Sequence, residues 1–281
     1  MNDQSMLSVD GFRIPLLGFG TWQLEPAEAR RMVAEALRIG YRHIDTAWIY
    51  KNESAVGQGI RDAIVEGVVE RQDIWLTTKI WVDHFRDGDL QKQARGSAEA
   101  LGFTPDLLLL HWPKRNPPMA ETLGALNDAL SKGLTRAIGV SNFPSQQFRE
   151  AQSLSDAKLI TNQVEYHPYL SNQTLIATAR DLGSSITAWS PLAQGKIAHD
   201  ETLKVIADLH GKTPGQIALR WLIQQGVMAI PRTTKESRAA ENFAIFDFEL
   251  SVQDMQRIHA LAVPDGRIGD WLDSDFAWDF H

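Results

Sequence analysis

The sequence predicts a (β/α)₈ barrel of the TIM-barrel class, and three observations point there. Eight short apolar runs of strand character recur along the 281 residues, amphipathic stretches of helical period separate them, and no Pro/Gly/Ser-rich linker or shift of composition divides the chain. A β-then-α unit of about 25 to 40 residues, repeated eight times, implies right-handed crossovers, a parallel sheet and closure into a barrel. One domain over residues 1–281 is therefore expected, although the length alone would also accommodate two ordinary domains.

Taken in order, residues 6–9 and 12–14 flank Asp10-Gly11, a pair suited to a type I′ turn, so a small hairpin should precede the barrel and close its bottom. Residues 16–18 supply a first barrel strand, followed by strands at 42–45, 74–78, 107–111, 135–140, 159–164, 185–189 and 227–230. Between them, Ala29, Met32, Val33, Ala36 and Leu37 form a helical stripe. So do Val56, Ile60, Ala63 and Ile64, then Leu175, Ile176, Ala179 and Leu182, then Ile217, Leu219, Trp221 and Leu222. The run Leu107-Leu108-Leu109-Leu110 is apolar without alternation, as expected of a strand covered on both sides. A doubly wound dinucleotide fold would need a glycine fingerprint after a strand. Gly18-Phe19-Gly20 lacks its third glycine and Gly57-Gln58-Gly59 sits inside a helical pattern, so that fold is excluded.

Composition narrows the chemistry. A net charge of −7 without a basic stripe argues against nucleic acid. The absence of cysteine removes disulfides, thiolate metal centres and a cysteine nucleophile. The opening residues lack the pattern of a secretory signal and no apolar run approaches the roughly 20 residues that span a bilayer, so a soluble, cytoplasmic protein is expected.

In this barrel class the reactive groups gather at the carboxyl ends of the strands, which directs attention to the polar residue closing each apolar run. Asp45, Lys79, His111, Ser141-Asn142 and Gln163-Val164-Glu165 are those residues, with Tyr50 in the loop after Asp45. A buried lysine needs a counter-charge, and Asp45 on the neighbouring strand is placed to give it. A phenol ordinarily ionises near pH 10, so proton exchange near neutrality demands about 4 kcal/mol of differential stabilisation, which an adjacent ammonium is expected to supply in large part. His111 is suited to donate a hydrogen bond to a substrate carbonyl. Such a site lacks only a hydride donor.

These residues lie in motifs. Gly18-Phe19-Gly20-Thr21-Trp22, Gly40-Tyr41-Arg42-His43-Ile44-Asp45-Thr46-Ala47, Tyr50-Lys51-Asn52-Glu53, Thr78-Lys79-Ile80-Trp81, His111-Trp112-Pro113, Ile138-Gly139-Val140-Ser141-Asn142-Phe143 and Asn162-Gln163-Val164-Glu165-Tyr166 follow one another in this order. In that ordered set the chain resembles the aldo-keto reductases, from about Leu7 to the C-terminal tail. The resemblance implies a catalytic tetrad of Asp45, Tyr50, Lys79 and His111. It also implies NADPH extended over the barrel mouth, with Gly20 and Thr21 near it, its amide held by Ser141, Asn142 and Gln163, and its nicotinamide stacked on Trp189, where many members carry tyrosine. The pyrophosphate would follow Ser190, Leu192 and Gly195. The adenosine phosphate would meet Ile230, Arg232, Thr233, Arg238, Glu241 and Asn242, with Arg232 and Thr233 replacing the usual lysine and serine but keeping a cation and a hydroxyl.

Trp22, Trp48, Trp81 and Trp112 follow strands and are expected to wall the substrate pocket. The loop 113–118 is short and the tail 267–281 over the site is compact; since long versions of both build closed apolar pockets in the family it resembles, the resemblance implies an open pocket for small polar carbonyls. Lys79-Ile80-Trp81, Leu134-Thr135-Arg136 and Trp278-Asp279 look most like bacterial 2,5-diketo-gluconate reductases, which also reduce methylglyoxal. The family resemblance further implies a monomer.

Each residue also has a plainer reading. A lone tyrosine after a strand is usually packing, and Asp45 with Lys79 would in isolation make a structural ion pair. It is their joint occurrence in the motifs that favours catalysis. His43 has no partner at metal-ligand spacing and is expected in the core, so no metal is expected. Two other functions stay open on the sequence: a cofactor-binding regulatory barrel with little turnover, and a metal-assisted hydrolase built on Asp45 and His111, which would leave Tyr50 and Lys79 without a role.

Overall fold

The structure, a computed structural model, describes residues 5–270 and 276–279. Strands β1 (Met6–Val9) and β2 (Phe12–Pro15) form the hairpin, with Val9 opposite Phe12 and both turn residues at positive φ (Asp10 46°, Gly11 78°), as a type I′ turn requires. Phe12 packs edge-on against Trp75 at 5.5 Å and lies under the Arg136 guanidinium at 5.9 Å. Trp75 and Arg136 stand at the amino ends of their strands, so the hairpin does cover the bottom of the barrel.

The barrel strands are β3 (Phe19–Gly20), β4 (His43–Asp45), β5 (Trp75–Ile80), β6 (Leu107–Leu110), β7 (Ala137–Ser141), β8 (Leu159–Glu165), β9 (Ser185–Trp189) and β10 (Met228–Ala229). Every neighbouring pair is parallel and adjacent in sequence. A parallel bridge between Leu17 and Ala229 closes the ring, helped by the Gly18 amide donating to the Ala229 carbonyl (2.8 Å) and the Gly20 amide donating to the Pro231 carbonyl (3.0 Å).

The first strand differs from the expected residues 16–18. Its early residues face the last strand while Phe19 and Gly20 pair with β4, the stagger that a closed barrel demands. A side chain at Gly20 would stand 2.8 Å from the Ile230 carbonyl, so only glycine permits this closure. The strand expected at 135–140 starts two residues later, because Thr135 Oγ1 turns back to the Ala137 carbonyl and Arg136 reaches Asp106.

Around the sheet run α1 (Pro26–Ile39), α2 (Glu53–Val65), α3 (Asp89–Leu101), α4 (Met119–Ser131), α5 (Ser145–Leu154), α6 (Gln173–Asp181), α8 (Pro214–Gln224) and α9 (Glu236–Phe243), with α9 against α1 completing the outer ring. The stripe Ala29, Met32, Val33, Ala36 and Leu37 is fully buried on α1, which starts with Pro26 at its first turn and stops at Gly40. Two further helices, α7 (Glu201–His210) and α10 (Val252–His259), pack on each other outside the ring. His43 and Trp221 are buried as expected, and so is Trp75. Of the tail expected over the mouth, residues 271–275, 280 and 281 lie outside the described residues. No helix among the described residues is long and apolar enough to cross a membrane.

Candidate active site

The carboxyl ends of β4 and β5 carry Asp45 and Lys79, buried to 2% and 0% side-chain exposure. Lys79 Nζ donates to Asp45 Oδ1 at 2.6 Å and to the Thr46 carbonyl at 2.8 Å. The Tyr50 hydroxyl stands 3.5 Å from the same nitrogen, at the outer limit of a hydrogen bond. Gln163 Nε2 donates to the other Asp45 oxygen at 2.7 Å. The desolvated ammonium thus has two close oxygens and the phenol as a third neighbour, the saturation that makes a buried charge tolerable.

Tyr50 sits in a one-turn 3₁₀ helix, Trp48–Tyr50, that ends on Lys51 in the left-handed conformation (φ 59°). Asn52 fixes this turn: its Nδ2 donates to the carbonyls of Thr21 (2.9 Å) and Leu24 (3.0 Å), and its Oδ1 accepts from Thr46 Oγ1 (3.0 Å). Thr21 in turn donates through both its amide and its hydroxyl to the Asp45 carbonyl, each at 3.0 Å. Neighbouring Glu53 is buried, and accepts from Thr78 Oγ1 at 2.6 Å.

Electrostatics separate the groups. Burial holds the Tyr50 phenol well above its ordinary value, and the Asp45 carboxylate pushes it the same way. This corrects the expectation that Lys79 would lower it. The ammonium stands 2.6 Å from Asp45 and 3.5 Å from the phenol, so its pull on the phenol does not outweigh burial and the Asp45 charge. Burial also pulls Lys79 below its usual value, against the attraction of Asp45. His111, at the end of β6, is driven well below the ordinary imidazole value by burial and by the Lys79 charge, so it is neutral. Its Nδ1 is sealed without a hydrogen-bond partner among the described residues, which favours the tautomer that carries the proton on Nε2. The His111 ring lies 5.7 Å from that of Tyr50 and 5.3 Å from that of Trp81, both edge-on.

The groups expected to hold the amide converge on the same floor. Ser141 Oγ donates to the Gln163 carbonyl (2.7 Å), and Asn142 Nδ2 donates to the His111 carbonyl (2.9 Å) and to Ser141 Oγ (3.0 Å). Trp189, closing β9, donates its indole N–H to Asn142 Oδ1 at 2.8 Å, a bond that a tyrosine at this position has no indole N–H to make. After it, Ser190, Ala193, Gln194 and Gly195 all take positive φ, and Leu192 lies among them.

The remaining candidates spread along the rim. Ile230 is buried just beyond β10. Arg232 is exposed and reaches back over the first loop, donating to the Trp22 carbonyl (3.0 Å) and to Gln23 Oε1 (2.9 Å). Thr233 Oγ1 accepts from the Lys235 amide (3.1 Å) at the start of α9, and Arg238 is exposed on that helix. Glu241 Oε1 accepts from Thr213 Oγ1 (2.8 Å), and Asn242 is buried beside it. Of the four expected wall residues, Trp81 contacts His111, Trp48 lies under Lys51 Nζ (3.3 Å) and against His84 (5.0 Å), and Trp22 and Trp48 are half-buried. Trp112 is buried and packs on Trp278 of the tail, ring centres 6.3 Å apart.

Sequence reasoning missed the Thr46 carbonyl as a Lys79 acceptor, because a backbone atom has no residue-type signature. It missed the role of Asn52 as a brace, although Asn52 lies in a motif already noted.

Known proteins resemble this chain over most of its length. The chain matches the profile described as "Aldo/keto reductase family" over residues 16–263. It is 44% identical to a solved structure described as a "putative 2,5-diketo-D-gluconic acid reductase B", over 99% of this chain and 100% of that one, with a TM-score of 0.93. It is 34% identical to an aldo-keto reductase of Bombyx mori solved in complex with NADP, over 92% of each chain, with a TM-score of 0.86. It is also 40% identical over 262 residues to the glyoxal reductase of Bacillus subtilis, covering 92% of this chain and 93% of that protein. On these matches the chain belongs to the aldo/keto reductase family, a family of oxidoreductases.

Proposed function

We propose that this protein reduces small polar aldehydes and ketones to alcohols with NADPH, with 2-oxo aldehydes such as methylglyoxal and keto-sugar acids such as 2,5-diketo-gluconate as the substrate class. The observation that carries the reading is the sealed Lys79 ammonium held between Asp45 and the Tyr50 hydroxyl at the mouth of the barrel. The residues at the mouth fit a nicotinamide dinucleotide. Asn142, Ser141 and Gln163 bring amide and hydroxyl groups together near Trp189, whose indole N–H is bound to Asn142, while Arg232, Lys235 and Arg238 place cations near the start of α9 for a phosphate. Bound there, the dinucleotide would supply a hydride to the carbonyl carbon.

The chain's own residues handle the oxygen. The neutral His111, protonated on Nε2, donates a hydrogen bond that orients the carbonyl and polarises it. Tyr50 holds its proton because burial keeps the phenol acid weak, and gives it up only as the substrate oxygen becomes an alkoxide, a much stronger base. The Lys79 ammonium, itself fixed by Asp45 and the Thr46 carbonyl, then stabilises the phenolate that is left. In this light the raised pKa is compatible with the role: the group is needed as a proton donor in reduction, and a donor must be protonated at neutral pH.

The glyoxal reductase and the diketo-gluconate reductase among the relatives support the substrate class, and the resemblance of the tail residues Trp278-Asp279 points the same way. The test is loss of nicotinamide absorbance when the protein is mixed with methylglyoxal or 2,5-diketo-gluconate and NADPH or NADH in turn. Turnover with NADPH favoured is expected. Binding of NADPH without turnover across a panel of aldehydes and keto-sugars would instead establish the regulatory-barrel alternative.

A further inference from the structure

Glu165 closes β8, is fully buried, and takes no part in the proton-transfer network. A carboxylate in such a place is costly unless its oxygens are well supplied with donors. Oε1 accepts from the Ile268 amide at 2.7 Å and lies 2.8 Å from His167 Nε2. Oε2 accepts from the Gly269 amide at 3.0 Å and has Arg267 Nη1 at 3.9 Å. Three of these four partners belong to the tail. The segment comes in tightly: the Val263 amide donates to the Tyr169 carbonyl at 3.1 Å, and a side chain on Gly266 would stand only 1.8 Å from that same carbonyl.

From Glu165 the contacts run towards the reacting groups. Arg267 Cζ lies 3.6 Å above the Trp278 ring, Trp278 packs on Trp112, and Trp112 is the neighbour of His111 in sequence. Burial pulls Arg267 below its ordinary value against the pull of Glu165, Asp270 and Asp279, and its Nη1 has no hydrogen-bond partner among the described residues, so its place depends on this stack and these carboxylates. Beyond Trp278, the Asp279 carboxylate accepts from Ser145 Oγ (2.7 Å) and from the Ser145 amide (3.2 Å) at the start of α5. The family profile ends at residue 263, so Glu165 directs a buried charge at residues that lie outside that common core.

We infer that Glu165 is a positioning residue of the reductase: its carboxylate tethers residues 267–269 across the mouth, and so sets Arg267 and Trp278 against Trp112 as one wall of the carbonyl pocket. This deepens the proposed reductase reading and rests on it for its kinetic part. Glu165→Gln keeps the shape but replaces one acceptor oxygen with a donor group that faces the tail amides. A hydrogen bond to a charged acceptor is equivalent to about a 10- to 100-fold factor in an equilibrium, so the tail should detach more often by about that factor.

The experiment measures amide hydrogen exchange of residues 268 and 269 in the full-length protein, together with kcat, KM for methylglyoxal and the NADPH dissociation constant. Glu165→Gln should speed exchange at both amides by about 10- to 100-fold. It should raise KM several-fold, and leave kcat and NADPH affinity within about twofold. Gly266→Ala, which crowds the Tyr169 carbonyl without touching Glu165, should give the same split and carries the test if Glu165→Gln does not fold. Unchanged exchange at 268 and 269 would overturn the tether whatever the kinetics. Faster exchange with unchanged KM would overturn the pocket-wall role. A wild-type protein that turns over no carbonyl refutes the reductase reading instead, and the exchange result then still decides the tether.

Discussion

Two buried aspartates sit at opposite ends of the barrel, each satisfied by cations, and their surroundings show what separates a structural charge cluster from a reactive one. At the bottom, just before β6, Asp106 accepts from Arg71 Nη2 (2.8 Å), Arg136 Nη1 (2.7 Å) and the Leu76 amide (2.9 Å). Both arginines reach in from solvent, with 26% and 59% of their side chains exposed. Arg71 also closes onto the carbonyls of Ile74 and Thr104, each at 2.7 Å. That cluster ties three strand entrances together and leaves its donors matched. At the mouth, Lys79 is wholly sealed, and beyond Asp45 and one carbonyl its remaining neighbour is a hydroxyl that can part with its proton. A cation drawn from solvent staples, whereas on the proposed reading a sealed cation coupled to a titratable group acts on that group. The contrast follows the division of this barrel class into a stabilising bottom and a catalytic top.

The largest effect expected from breaking the comparison is on turnover. Tyr50→Phe should lower kcat by about 10²- to 10⁴-fold, the usual contribution of a positioned general acid, with NADPH affinity and thermal midpoint nearly unchanged. A mutant that turned over like the wild type would remove the phenol from the mechanism. Next come the two charge clusters. Lys79→Met strands a buried Asp45 and should cost about 3–5 kcal/mol of stability as well as activity. Asp106→Ala leaves two arginines that can turn to water, so it should cost only about 2–3 kcal/mol and leave kcat as it was. Denaturant titration with parallel kinetics separates these outcomes, and equal losses of activity in the two mutants would erase the distinction between the ends.

The smallest effect is that of pH on stability. His43 and His111 flank the mouth pair, and burial holds both below the ordinary imidazole value. In the unfolded chain each takes up a proton near pH 6.5 while the folded protein does not, so the unfolded state binds more protons and stability falls as pH drops below about 6.5. Thermal midpoints measured downwards from pH 7.5 should decline, and His43→Asn should flatten that decline. A flat profile in the wild type would mean that these histidines titrate alike in both states.

Much of the floor of the site was legible before any coordinates. Asp45, Lys79, His111, Asn142 and Gln163 each end an apolar run, and a barrel of parallel strands brings such ends together whatever lies between them. The direction of the Tyr50 shift was misread, because the sequence names the ammonium but not that Asp45 stands closer to it than the phenol does. The indole bond from Trp189 to Asn142 spans 47 residues and the Glu165 bond to the Ile268 amide spans 103. Neither leaves a periodic trace. The rim was the least readable part: Arg232, expected at a phosphate, also folds onto the Trp22 carbonyl, 210 residues away.

By itself the sequence determined the order of strands and helices, the closure number of the barrel and which ionisable residues stand at its carboxyl end, because these follow from local periodicity and from the rule that apolar faces must be covered. Only the tertiary structure decided which donor meets which acceptor: that Lys79 divides itself between Asp45 and Thr46, that the first strand is staggered between its two neighbours, and that a carboxylate at the end of β8 holds the tail. Hydrogen bonds act over about 3 Å and depend on angle, so they are fixed by the packed arrangement of distant segments and cannot be read from the spacing of residues along the chain.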